Sequence, residues 1–177
     1  MKKVLSLILA SLMLVAVLAA CGSPAEPVAT PVPTPESGDP INTPQSTEEY
    51  QTLIGEFTTS FDSIVNNRVV ALVANLDTVV GTEGFDAWST EFDAIYDDIL
   101  AEMDNLSLAS LAVTDEFVDQ LLEITVNAAA VYEVFATFEP SVTAAAEGNM
   151  DEFEANRGAF VTGMNAAIEG WNATGAQ

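Results

Sequence analysis

Asp93, Asp97 and Asp98, flanked by Glu91 and Glu102, place five carboxylates within about three helical turns. Hard divalent cations such as Ca²⁺ take oxygen ligands of this kind. No EF-hand spacing with its central glycine and terminal glutamate accompanies them. The Glu-x-x-His pairs of di-iron bundles cannot occur, because the chain has no histidine. Among 27 acidic residues such a cluster is also expected from composition alone. A solvated acidic face is therefore preferred over a dedicated metal site at Asp93, Asp97 and Asp98.

The cations are fewer and more informative. Lys2 and Lys3 stand at the start of the chain, and only Arg68 and Arg157 follow. Arg68 falls between Ile64 or Val65 and Leu72, and Arg157 between Phe153 and Phe160, so both sit at or beside apolar positions. A guanidinium there needs a carboxylate or backbone carbonyls. An internal ion pair that sets helix register is preferred, with an arginine snorkelling to the edge or a pocket cation for an anionic ligand as the alternatives. The paired reading predicts that Arg157→Met costs on the order of several kcal/mol.

Other chemistry is excluded by composition. Without histidine there is no Ser/His or Cys/His catalytic arrangement and no imidazole-bound metal. No Gly-rich phosphate loop, nucleophile elbow or zinc motif occurs, so no cofactor is implied. Paired carboxylates can hydrolyse glycosides, but no two acids here stand out from the rest, and an enzyme is not expected. Nucleic acid and anionic lipid headgroups are unsuited as partners, since no basic cluster could neutralise phosphates.

The only cysteine, Cys21, ends a distinctive opening. Met1-Lys2-Lys3 precedes an apolar run from Val4 to Val17, followed by Leu18-Ala19-Ala20-Cys21. A short positive segment, an apolar core and small residues before a cut describe a secretory signal peptide over residues 1–20. The run falls short of the roughly 20 residues of a membrane span. A plain membrane anchor, or a cleaved leader with a chance cysteine, is the alternative. Leu18-Ala19-Ala20-Cys21 resembles the lipobox of bacterial lipoproteins. That resemblance covers residues 1–21. It implies a diacylglyceryl thioether on Cys21, cleavage before it, and attachment to the extracytoplasmic face of the cell membrane. It also implies that the Cys21 thiol is neither a nucleophile nor half of a disulfide. Gly22, in place of the aspartate associated with inner-membrane retention, follows it.

The elements that must position the remaining residues fall into two parts. Residues 21–45 hold seven of the eight prolines and almost no large apolar side chain. That composition predicts a disordered, semi-stiff tether reaching roughly 70 Å if extended. From Ser46 to 177 the pattern changes to four amphipathic helices and an all-α domain. Ser46-Thr47-Glu48-Glu49 reads as a capping box, opening a helix of about 34 residues that stops at Gly81 and could bend at Asn66-Asn67. A second helix runs from Phe85 to Met103 with Trp88 on its stripe, and Asn105–Val113 reads as an apolar linker. Thr114-Asp115-Glu116 opens a third helix, which Pro140 should kink or interrupt before Gly148 stops it. Asn149-Met150-Asp151-Glu152 opens a fourth, through Phe153, Phe160, Met164 and Trp171, with a face of small residues that includes Gly158, Gly163 and Gly170. Short links imply an antiparallel up-down-up-down four-helix bundle, with a three-helix bundle and a projecting first helix as runner-up.

A chain cut before Cys21 carries 27 acids against two arginines, a formal charge of −25. The expectation is a membrane-anchored lipoprotein whose acidic bundle binds or scaffolds something outside the membrane, a protein partner or a cation, without catalysis. The alternative is capture of divalent cations or small cationic ligands on its acidic faces.

Overall fold

The computed structural model describes residues 47–110 and 113–174. The leader, Cys21, the tether and the Ser46 cap lie outside them. Along the first helical stretch the buried line is Tyr50, Ile54, Phe57, Phe61, Val65, Val69, Leu72 and Leu76, with Ile64 beside it. From Phe57 to Val69 this line takes three consecutive steps of four, where 3.6 residues per turn gives no more than two in a row. An unbroken α-helix counted on from Tyr50 would place Arg68 at the centre of the buried stripe and turn Val69 about 100° away.

The surplus residue is taken up by a π-helical turn, Ile64–Val69, between α1 (Thr47–Ser63) and α2 (Val70–Val79). There the Val70 amide donates to the carbonyl of Val65, five residues back. Val69 is consequently buried at 0% exposure, and Arg68 moves to the seam with the next helix. The anticipated bend at Asn66-Asn67 is thus a change of helix type. The rod ends where Gly81 takes φ +71°.

After a short turn, α3 spans Phe85–Ser110, seven residues longer than its expected stripe. The segment read as a linker from Asn105 is helical to Ser110, because Leu106 and Ala109 continue the buried line of Ile99 and Met103. A 3₁₀ turn, Asp115–Phe117, leads into α4 (Val118–Ala146). Thr114 is extended at the N-cap, without a side-chain cap bond. Pro140 does not interrupt α4. Its ring is exposed while Phe138, Ser141 and Val142 around it are buried, so packing holds the helix through the missing donor. Gly148, at φ +96°, closes α4 in a Schellman arrangement: the Asn149 amide donates to Ala144 and the Gly148 amide to Ala145. Helix α5 is Met150–Ala173, and Asn149 makes no side-chain cap bond at its start.

Contacts fix the order of the bundle. Tyr50 meets Phe117, bringing the starts of the first rod and of α4 to one end. Ser60 pairs with Glu102 and Trp88 with Leu72, so α3 runs antiparallel to that rod. Phe92 meets Phe135 and Tyr96 meets Tyr132 between α3 and α4. Gly163 abuts Val134 and Gly170 abuts Asn127 between α4 and α5. Trp171 reaching Asp62 and Arg157 reaching Asp77 close the ring. The fold is an all-α antiparallel four-helix bundle, with no strand among the described residues. Its core is strongly aromatic; Phe92, Phe135, Phe138, Phe153 and Phe160 form a continuous cluster whose Phe138–Phe160 centroids lie 4.4 Å apart. Such pairs add about 0.5–1.5 kcal/mol each beyond area burial. The stretch Asp115–Ala146 is long and apolar enough to cross a membrane by length and composition. In the bundle it packs against α3 and α5 and buries Leu121, Ile124, Val131, Phe135 and Phe138.

Candidate functional site

The π-turn delivers Arg68 to the seam between the first rod and α3. Its Nε donates to Glu91 Oε1 at 2.9 Å and its Nη1 to Asp98 Oδ2. Glu91 and Asp98 lie seven residues apart, two turns along one face of α3, so the two edges of one guanidinium bridge both. Hydrogen bonding to Asp98 and then to Glu91 holds the arginine above its ordinary pKa, against the opposing effect of burial. The pairing matches the expectation, but the position does not. Arg68 is 34% exposed and its partners about half exposed, so this is a bridge at the rim rather than an ion pair inside the core.

Arg157 is displaced outward in the same way. It reaches Asp77 at 3.2 Å and Glu154 at 3.5 Å, itself 33% exposed with Asp77 at 82%. Phe153 and Phe160 occupy the core line, and Arg157 stands beside it on the α5 edge that faces α2. Solvent screening at such a pair limits it to about 1 kcal/mol or less, so the loss of Arg157 does not carry the several-kcal/mol cost expected of a core ion pair.

The acids proposed as cation ligands are split. Asp98 is engaged by Arg68, whereas Asp93 faces Glu139 of α4 with Asp97 nearby. Burial, then Glu139 and Asp97, raises the Asp93 carboxyl above its usual range. Among the described residues no three acidic side chains gather closely enough to hold a metal ion. Asp93, Asp97 and Asp98 therefore do not form one ligand set.

Both tryptophans are core residues with satisfied indoles. Trp88 donates to the Leu72 carbonyl at 2.9 Å, just past the π-turn, and Trp171 to Asp62 Oδ1 at 3.3 Å. Asp62 also accepts from Asn66 at 2.7 Å, and Asn66 exchanges hydrogen bonds with Asn172. A second polar network thus ties the π-turn to the end of α5. The sequence marked Asn66 only as a bend point and did not single out Asp62 or Asn172. The usable signal was their place on the first rod and α5 at the level of the three consecutive four-residue steps. Tyr96 stacks on Tyr132 with centroids 5.8 Å apart, and burial followed by that neighbour pushes its phenol pKa up. The small-residue face of α5 divides. Gly163 and Gly170 admit Val134 and Asn127 of α4, while a Cβ at Gly158 would meet nothing within 4 Å.

The π-turn therefore carries a cation bridge to α3 on one side and an amide–carboxylate network to α5 on the other. Two of its neighbours are held in register by side chains that it presents. The class this defines is an all-α bundle clamped at a central π-turn. Compared with protein-family models, curated proteins and solved structures, the chain matches none of them.

Proposed function

We propose that the chain is a bacterial-type lipoprotein, anchored through Cys21 on the extracytoplasmic face of the membrane, whose helical bundle binds or scaffolds a partner without catalysis. The observation that carries the anchor is the run Leu18-Ala19-Ala20-Cys21, at the end of a positively charged and then apolar leader, in a chain with no other cysteine. Acyl chains on one cysteine hold a protein at a bilayer through about 0.8 kcal/mol per buried methylene. The proline-rich stretch between Cys21 and Thr47 serves as the spacer. A binding role is favoured because Arg68 and Arg157 are spent between helices, which leaves the outward faces as the surface offered to a partner.

Metabolic labelling with a fatty-acid probe tests the anchor. The wild-type chain should incorporate the label and Cys21→Ala should not; equal incorporation would end this reading. Titration of the full chain with Ca²⁺, Mg²⁺ and Mn²⁺ in a calorimeter separates the cation alternative. Weak heats that vanish with added salt are expected, and saturable binding in the micromolar range would replace the partner-binding reading by a cation-binding one.

A further inference from the structure

We draw no further inference here: the strongest candidate, the groove of about 670 Å³ between α4 and α5 lined by Phe138, Phe160 and the small residues Ala130, Ala159, Gly163 and Ala166, carries nothing because nothing in the structure shows what covers it.

Discussion

Removing one residue from the π-turn tests the register argument in a way that few point substitutions can. Asn67 is exposed, and its side chain makes one described hydrogen bond, to Ser63 Oγ at 3.3 Å. With Asn67 deleted, the buried residues from Tyr50 to Leu76 fall on a single 3.6-residue stripe, and Arg68 keeps its place beside Val69. The segment should convert to plain α-helix with Phe61, Val65, Val69, Leu72 and Leu76 still inside. The expected cost is within about 1 kcal/mol, the scale of one exposed hydrogen bond. Deleting Ala101, exposed on α3, is the matched control. It turns Met103, Leu106 and Ala109 about 100° away from the core. Loss of two large apolar side chains from burial costs about 2–3 kcal/mol each, so roughly 4–6 kcal/mol in all. At roughly 4 °C per kcal/mol for a domain of this size, thermal melts at 222 nm should differ by about 12–20 °C between the two deletions. A drop for the Asn67 deletion as large as that for Ala101 would refute the idea that the π-turn absorbs a surplus residue.

Other consequences are smaller but distinct. Arg68→Met should destabilise by about 1 kcal/mol, because it leaves Glu91 and Asp98 on one face without their shared cation, and Arg157→Met by less, as urea melts would show. Gly158→Ala should stabilise by about 0.5–1 kcal/mol, since a methyl there meets open space, whereas Gly163→Ala should gain less because Val134 stands 3.3 Å from the new carbon. Asp93 has a raised carboxyl pKa in the folded chain, so its ionised form opposes folding at neutral pH, and that opposition is relieved as pH falls through the raised value. Asp93→Asn should therefore melt higher than wild type at pH 7, and the gap should close below about pH 4. A gap independent of pH would remove the electrostatic explanation.

The helices were legible because their apolar residues recur at threes and fours and because Gly81 and Gly148 mark two ends; both glycines take positive φ. The run of three four-residue steps through Phe57, Phe61, Val65 and Val69 was present in the sequence too. It became a π-turn only once burial showed which of Ile64, Val65, Arg68 and Val69 faced inward. That single residue of slippage is why Arg68 read as a core cation and proves to be a rim bridge. Asn105–Ser110 was missed as helix because Leu106 and Ala109 continue the stripe amid polar neighbours that resemble a link. Pro140 misled in the opposite direction, since a missing donor costs little beside the burial of Phe138, Ser141 and Val142. The exposure of Leu53 and Leu108 was hidden for a related reason: Leu53 fits the α1 stripe by spacing, and Leu108 belonged to the supposed linker. Exposure is a tertiary quantity, and spacing alone does not report it.

The proposed lipid anchor requires Cys21 to be the first residue of a processed, membrane-held chain. Intact-mass spectrometry of the protein extracted from membranes addresses this directly. It should find a polypeptide beginning at Cys21 and heavier than its sequence by a diacylglyceryl group, with or without a further acyl chain on the new amino terminus. A chain that retains Met1, begins elsewhere, or carries an unmodified Cys21 thiol would contradict it.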